Sequence, residues 1–340
     1  MNKIVLSDAI DQFIQHSKAQ GLAANTVKNR RVCLHHALTC WGNIQVRAIE
    51  PRHVDLMFSL KDWNAATRNN YLAQLRIFFK WCRNHKILGR DDDPTATWSK
   101  QREQRSEQLR VPQEQFGELL NATGTPLDRI IVSLGLFLFV RGSEITSMKV
   151  SDDRGEEMRV IRHKTKKIDY LPICSELRVE LDRWKKEYAR LIGQPPHPDH
   201  YLVPRRMPPG VAGEFENIQS FHANVLAGVY PDRPFLTPYH AVKRTLKAIG
   251  FEVKGTGVHT LRRSGARAMF DNLREEGTDG ALLRVQSMLS HSDPKVTTRY
   301  IGLELEREQL KGMFAGKPMF RILNPVESSS VIDAASRFGA

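Results

Sequence analysis

The sequence predicts a mainly α-helical fold with one small β-hairpin, an α+β arrangement in two domains. Apolar residues recur every three or four positions along most of the chain, which is the spacing of amphipathic helices. Two short alternating runs, at residues 158–162 and 169–173, flank a basic turn and predict a hairpin. A polar stretch at residues 97–111 predicts a linker between residues 1–96 and a larger second domain.

The chain is strongly basic. Lys and Arg number 51 against 38 Asp and Glu, and the resulting net charge of +13 favours a polyanionic partner, with nucleic acid as the first candidate. Charge alone does not separate an enzyme that acts on nucleic acid from a ribosomal or chromatin-like binder. Because the N-terminus lacks a signal-peptide core and no apolar run could span a bilayer, we expect a cytoplasmic protein without membrane contact.

The four cysteines, Cys33, Cys40, Cys82 and Cys174, show no CxxC pairing. Their apolar sequence contexts predict reduced core residues and no zinc site.

Residues 1–96 are predicted to form four helices. The first begins at Ser7, the second runs from Asn25 to the stop at Gly42, the third follows Pro51, and the fourth covers about residues 66–86. This region holds 14 Lys and Arg against 8 Asp and Glu, so it is basic in its own right.

The helical cations of this region are candidates for contacts with DNA phosphates, with an ordinary solvated face as the alternative. These candidates are Lys28, Arg30, Arg31, Arg68, Arg76 and Lys80. Three further candidates, Lys100, Arg102 and Arg105, lie in the linker and could follow a DNA backbone, so that the two domains close around a duplex like a clamp. A solvated tether is equally compatible with the linker sequence.

The second domain is predicted over residues 112–320, with a tail at 321–340. Helices are expected at 113–123, 127–140, 175–191 and 237–249, and the second of these ends in an arginine, Arg141, which Glu144 could pair. Residues 193–238 are rich in Pro, Gly and His and receive no assignment, and His240 is treated as structural.

Four residues between positions 259 and 300 could act together on one phosphodiester. His259 and Arg262 are three residues apart with helical spacing, so their side chains share one face. His291 ends another amphipathic helix, and Tyr300 follows nine residues later in a short Thr-rich segment. Taken singly, each residue would more often be structural. This pattern, H-x-x-R followed by His and then Tyr, resembles the C-terminal signature of the tyrosine recombinases, which include phage integrases and Xer-type recombinases.

Two further motifs extend the resemblance. Arg141, Ser143 and Glu144 match the family's first arginine motif, G-L-R-x-S-E-L, whereas Phe139-Val140 replace Gly-Leu and affect the turn before the arginine. The family's hairpin carries a lysine eight residues before a Pro, which favours Lys164 and leaves Lys166 and Lys167 as rivals.

The resemblance also covers the first domain, which looks like a helical core-binding (SAM-like) domain. Since the first helix begins by Ser7, we expect no separate arm-binding domain.

The chemistry of these residues fits the same reaction. Two guanidiniums, Arg141 and Arg262, can bind the phosphate oxygens on which charge develops. A phenol is a weak nucleophile at neutral pH, so Tyr300 needs a proton acceptor, for which His259 is the candidate. Lys164 is the candidate acid for the departing 5′ oxygen, and His291 would donate a hydrogen bond to the phosphate.

The resemblance implies a site-specific recombinase that forms a 3′-phosphotyrosine without ATP, metal or other cofactor. It implies double-stranded DNA as the partner and a homo-tetramer on two DNA sites, and it is compatible with accessory DNA-bending proteins. A predicted helix at residues 303–314 would dock on a neighbouring protomer or, as the alternative, pack on its own domain. Two other classes stay open, a type IB topoisomerase-like enzyme and a non-catalytic basic DNA-binding regulator.

Overall fold

The protein divides into two compact units, Met1–Glu107 and Gln108–Ala340. The computed structural model describes residues 4–103, 109–207, 228–251, 253 and 255–303. The predicted helix at 303–314 and the tail at 321–340 lie outside these residues, apart from Leu303. Among the described helices, none combines the length and the apolar character needed to cross a membrane.

The first unit is a helical domain with an aromatic core. Its helices are α1 (Leu6–Ala19), α2 (Ala24–Trp41), α3 (Pro51–Ser59) and α4 (Ala65–Asn84). Their ends follow the local sequence: Gly42 ends α2 with a φ of 75°, and the Asn64 side chain caps α4 by accepting a hydrogen bond from the Thr67 amide. The buried rings of Phe13, Phe78 and Trp81 pack against one another beneath these helices.

The second unit is built around one apolar helix. Its helices are α5 (Phe116–Asn121), α6 (Pro126–Phe137), α7 (Gly142–Ser147), α8 (Ser175–Ile192), α9 (Tyr239–Ala248), α10 (Val258–Glu275), α11 (Ala281–Leu289) and α12 (Pro294–Tyr300). Helix α6 is buried on nearly all sides because α8, α9 and α10 pack around it. The fold is therefore mainly α with a small β component, as predicted.

The predicted hairpin is present and is slightly longer than expected. Strand β1 (Glu157–Arg162) pairs antiparallel with β2 (Lys167–Pro172), and the register ends with Arg162 opposite Lys167 across a four-residue turn. Alternate residues of β1, namely Met158, Val160 and Arg162, are buried. The hairpin therefore presents an arginine to the interior of the domain.

A second antiparallel pair was not predicted. Strand β3 (Pro204–Arg206) pairs with β4 (Val229–Pro234), within the stretch that received no assignment. The first of these strands has only three residues and the second contains two prolines, so neither carries an alternating signal that periodicity could detect.

Two local predictions were wrong. The helix expected to reach residue 140 ends at Phe137, because Phe139 adopts a left-handed backbone with a φ of 51°. Cys174 is exposed, and Cys40 is only partly buried, so only two of the four thiols are core residues.

Candidate active site

Arg262 is the most deeply buried of the predicted site residues. Its side chain is 1% exposed, and its guanidinium donates hydrogen bonds to the carbonyl oxygens of Phe139 and, at 2.7 Å, Leu289. Arg262 lies in the second turn of α10, whose N-terminal cap is Gly257. Burial lowers the pKa of Arg262 to about 10, so the group is still charged at neutral pH.

One buried carboxylate, that of Glu144, gathers three arginines. It accepts hydrogen bonds at 2.9 Å from Arg141 and at 2.9 Å from Arg162, and Arg262 lies 3.8 Å away. Burial alone would raise the pKa of Glu144, but the Arg141 amide and the two nearest guanidiniums outweigh it and hold the pKa below its usual range. The carboxylate is therefore ionised and fixes the spacing of the cations.

Arg162 is a residue of this network that the sequence interpretation missed. It is 1% exposed and binds Glu144 at 2.9 Å, Asp169 at 2.6 Å and the Met288 carbonyl oxygen at 2.8 Å. These contacts tie the hairpin to α7 and α11. A signal for it existed, since alternation places Arg162 on the same face as Met158 and Val160.

Tyr300 ends α12 beside both predicted histidines. Its hydroxyl lies 3.4 Å from the main-chain oxygen of His259, and its ring centroid is 5.3 Å from that of His291, with the rings perpendicular. The Arg262 guanidinium carbon is 5.9 Å from the centroid of the tyrosine ring. Burial raises the pKa of Tyr300, and the nearby arginines oppose this effect only in part. The phenol is therefore protonated at neutral pH and needs a proton acceptor to react.

Both histidines are uncharged at neutral pH. Burial, followed by Arg262 and other cations, lowers the pKa of His291 to about 4. Its Nδ1 lies 3.1 Å from the Thr297 hydroxyl, which holds the ring in place. His259 is exposed at the surface, and partial desolvation together with the arginines of the site lowers its pKa. A neutral imidazole can accept a proton, and this is the property that the sequence interpretation requires of His259.

The hairpin turn brings a lysine toward this cluster. Lys164 is exposed on the turn between β1 and β2 and is one of the cations that lower the pKa of His291. The charge of Lys167 acts instead on Asp169, the carboxylate that pairs with Arg162. Lys167 also lines a surface cavity together with His291, so both lysines stay candidates for the residue that faces the site.

The turn before Arg141 shows how the chain accommodates its departure from the family motif. Phe139 has a positive φ, which a glycine adopts without strain, and its ring packs over Gly265 of α10. A Cβ at Gly265 would lie 1.8 Å from the Leu136 carbonyl oxygen and 2.6 Å from the Phe139 ring. The bulky residue in the turn therefore depends on a glycine in the facing helix.

The basic residues of the first unit differ in their availability for DNA contacts. Arg30 lies 5.1 Å from the centroid of the Phe13 ring, Arg68 lies 4.6 Å from the centroid of the Trp98 ring, and Arg76 donates a hydrogen bond to the Trp98 carbonyl. These three side chains are engaged by their own domain. The exposed candidates are Lys28, Arg31, Lys80, Lys100 and Arg102, and Arg105 lies outside the described residues.

Among the residues that the structure describes, no group of three His, Cys, Asp or Glu side chains is arranged to hold a metal ion. The cluster combines cations, imidazoles and a phenol around the buried Glu144 carboxylate.

Comparison with known proteins identifies the fold. No protein-family model and no curated protein matches the chain. Solved structures do match. A lambda integrase dimer bound to a COC′ core site has a TM-score of 0.66 and 16% identity, and the match covers 90% of this chain and 80% of that one. A lambda integrase tetramer bound to a Holliday junction has a TM-score of 0.65 and 15% identity over 88% and 78% of the two chains.

The Tn1549 transposon integrase, in complex with a circular intermediate DNA, has a TM-score of 0.59 and 13% identity. That match covers 92% of this chain and 99% of the integrase chain. These proteins are tyrosine recombinases, and each match spans both of the units described above. The chain therefore has the tyrosine recombinase fold.

Proposed function

We propose that this protein is a tyrosine-type site-specific DNA recombinase, an integrase that cleaves and rejoins strands through a 3′-phosphotyrosine. The observation that carries the proposal is the place of the Tyr300 phenol. Its ring lies against the His291 imidazole, its hydroxyl lies at the main chain of His259, and the charges of Arg141 and Arg262 act on it. The net charge of +13 and the likeness to DNA-bound recombinases support a DNA substrate.

The two arginines take different parts in binding a phosphate. Arg141 is 28% exposed and uses one guanidinium nitrogen on Glu144, so its other N–H groups can reach a phosphate oxygen. Arg262 lies behind Tyr300 at 1% exposure and stabilises negative charge mainly through its field. Negative charge that develops on the non-bridging oxygens during cleavage is stabilised by these two guanidiniums, which are already in place before the reaction.

The reaction exchanges one phosphoester for another. The Tyr300 oxygen attacks phosphorus while its proton passes to the His259 imidazole, and the bond from phosphorus to the 5′ oxygen breaks. Lys164 supplies the proton that this oxygen needs to leave. A 5′-hydroxyl from another strand then attacks the phosphotyrosine and releases the phenol, so no external energy source is required.

Covalent capture tests this proposal even though the target sequence is unknown. The full chain is incubated with a library of random-sequence duplexes nicked close to one end, so that a cleaved fragment diffuses away and traps the protein on DNA. We expect adducts that resist denaturant and that are enriched for one sequence. Failure to form any adduct, in the presence of ordinary DNA binding, would instead indicate a DNA-binding regulator.

The enriched duplex also separates a recombinase from a topoisomerase. Two labelled copies of the site should exchange strands, whereas a type IB topoisomerase would relax supercoiled plasmids of any sequence and reseal the original strand. Exchange between duplexes is the expected outcome. Relaxation that does not depend on the enriched site would support the topoisomerase alternative.

We further propose that the protein works as a homo-tetramer on two duplexes. Strand exchange needs cleavage at two positions on each duplex, and a monomer carries only one active site. An apolar cavity of about 370 Å³ on the second unit is the candidate acceptor for the segment at residues 304–340 of a neighbouring copy. Its apolar lining includes Phe116, Phe137, Met269, Leu273 and Met288. A chain that lacks residues 304–340 should bind a single site and fail to assemble the four-protomer complex.

A further inference from the structure

The position of the nucleophile depends on contacts outside its own helix. Helix α12 has only seven residues, from Pro294 to Tyr300, and a helix of this length is not stable by itself. Its N-terminal end is capped by Asp293. The contacts at its other end, next to Tyr300, therefore decide where the phenol lies.

That end is closed by a Schellman motif. The Gly302 amide donates to the Arg299 carbonyl at 3.2 Å, and the Leu303 amide donates to the Thr298 carbonyl at 2.9 Å. Gly302 has a φ of +69°, and a Cβ there would lie 2.7 Å from the Arg110 guanidinium. A glycine is therefore needed here both for the positive φ of the turn and for the close approach of Arg110.

Two arginines bind the carbonyl oxygen of the residue that follows the nucleophile. Arg110 donates a hydrogen bond to the Ile301 carbonyl, and Arg267 donates to the same oxygen at 3.3 Å. The last carbonyls of a helix lack partners within the helix and carry partial negative charge, so two cationic donors are well suited to this place. The Ile301 side chain is itself fully buried, which fixes the backbone from the other side.

Both arginines are anchored to α10, the helix that carries His259 and Arg262. Arg267 is a residue of α10, and Asp271 binds its guanidinium at 2.6 Å. Arg110 precedes Val111, whose amide donates to the Ser264 hydroxyl of α10 at 2.8 Å. The nucleophile helix is thereby held against the helix that supplies the groups with which Tyr300 must react.

We propose that Arg110 and Arg267 are positioning residues that set the Tyr300 hydroxyl against the phosphate site by clamping the Ile301 carbonyl. This proposal rests on the proposed recombinase function. Neither residue belongs to the six predicted catalytic positions, and neither contacts the reacting atoms. Both border a cavity of about 730 Å³ that is open to solvent, so truncating them removes the clamp without leaving a void in the core.

The first test measures the clamp without any DNA. Hydrogen exchange of the full chain should show faster exchange of the α12 amides in Arg110→Ala and Arg267→Ala, by about tenfold. The matched control is Arg274→Ala, because Arg274 lies on α10 and lines the same cavity but contacts the Phe270 ring instead. Unchanged exchange in both variants would overturn the proposal, whatever the protein does to DNA.

The second test measures cleavage at saturating concentrations of the enriched duplex. Arg110→Ala and Arg267→Ala should form the covalent adduct at least tenfold more slowly than the wild type, with an unchanged Kd for DNA. Arg267→Lys should recover part of the rate, since a lysine can still donate to the carbonyl. Arg274→Ala should match the wild type. Rates within twofold of wild type for both alanine variants would contradict the clamp.

A substrate with a bridging 5′ sulfur identifies the side of the reaction that is impaired. A thiolate leaves without a proton, so this substrate rescues a defect in the acid and does not rescue a misplaced nucleophile. The Arg110 and Arg267 variants should stay slow on it. Full rescue would show that the variants are impaired in protonating the leaving group, and it would contradict the positioning role. A wild-type chain that forms no adduct refutes the proposed function itself, and the hydrogen-exchange result then decides the clamp separately.

Discussion

Arg162 and Glu144 form a salt bridge of 2.9 Å in which both side chains are 1% exposed. The pair joins β1 to the helix that follows Arg141, and the same carboxylate also binds Arg141. The geometry of the phosphate-binding arginines therefore depends on a residue that takes no direct part in the proposed reaction.

Replacing Arg162 with Met should lower the free energy of unfolding by about 3–5 kcal/mol, because it removes one partner of a buried ion pair. Urea denaturation of the full chain measures this change. Arg190→Met is the control: Arg190 pairs with Glu187 at 71% exposure, and the stability should hardly change. Equal effects of the two substitutions would show that the Arg162 pair contributes no more than a surface contact.

His291 should make the stability fall as the solution is acidified. In the unfolded chain a histidine binds a proton below about pH 6.5, whereas the folded protein holds the pKa of His291 at about 4. Protons therefore bind preferentially to the unfolded state between these values, and the stability is lost as the pH falls from about 6.5 to 4.

At pH 5 the loss should amount to at most about 2 kcal/mol, since each pKa unit corresponds to about 1.4 kcal/mol and the ring is partly in solvent. The measurement compares the melting temperatures at pH 7 and pH 5 for the wild type and His291→Gln. The variant should show the smaller difference. An identical pH dependence in both proteins would mean that His291 titrates normally in the folded state.

Alanine substitutions of the three hairpin lysines should have very different effects on the rate of DNA cleavage. Lys164→Ala should slow adduct formation by roughly 100- to 10,000-fold, the usual contribution of a general acid. A substrate with a bridging 5′ sulfur should restore the rate. Lys166→Ala and Lys167→Ala are the matched controls and should keep most of the activity. If Lys167→Ala alone shows the loss and the rescue, the acid has been assigned to the wrong lysine.

The exposed cations of the first unit should supply salt-dependent affinity for DNA. The Tyr300→Phe chain, which avoids covalent trapping, is compared with the same chain carrying Lys28→Gln, Arg31→Gln and Lys80→Gln. The slope of log K against log salt should become shallower by up to about 0.9 for each phosphate that is no longer neutralised.

A second triple variant, Lys18→Gln, Lys61→Gln and Arg90→Gln, removes three other exposed cations from the same unit. Its slope should change less. Equal changes in the two variants would mean that the unit binds DNA through its overall charge and not through a defined face.

The sequence predicted most of the helices because their signals are local. Pro51 opens α3, Asn64 caps α4 and Gly42 ends α2, and each boundary lies within about two residues of its expected place. The hairpin could be predicted for the same reason, since its alternating runs and basic turn occupy 16 consecutive residues. Such features do not depend on distant parts of the chain.

The elements that could not be predicted depend on partners far away in the sequence. Strand β3 is three residues long and pairs with a strand that contains two prolines. Phe139 takes its left-handed backbone in a turn where its carbonyl accepts from Arg262 and Gly265 leaves room for its ring. The Ile301 clamp likewise joins Arg110 to a carbonyl 191 positions away. The periodicity of apolar residues is a local pattern and cannot predict contacts between residues so far apart in the sequence.

The six predicted catalytic positions are still a hypothesis about the reaction, although the structure gathers Arg141, His259, Arg262 and His291 around Tyr300 and holds Lys164 on a nearby turn. The sequence interpretation named the residues proposed to contact the substrate. It missed residues that position them, such as Arg162. Residues of the second kind carry no motif, because any buried donor of suitable length can fill the role.

Mapping the residue that becomes linked to DNA tests whether Tyr300 is the nucleophile. Adducts captured on the enriched duplex are digested with trypsin, and the DNA-linked peptide is sequenced by mass spectrometry. Trypsin cuts after Lys295 or Arg299 and after Arg307, so the linked peptide should contain Tyr300. Its tyrosine should carry the 3′-phosphate of the cleaved DNA strand. Tyr300→Phe should bind the same duplex with unchanged affinity and give no adduct. A linkage to any other residue, or an adduct formed by Tyr300→Phe, would contradict the account.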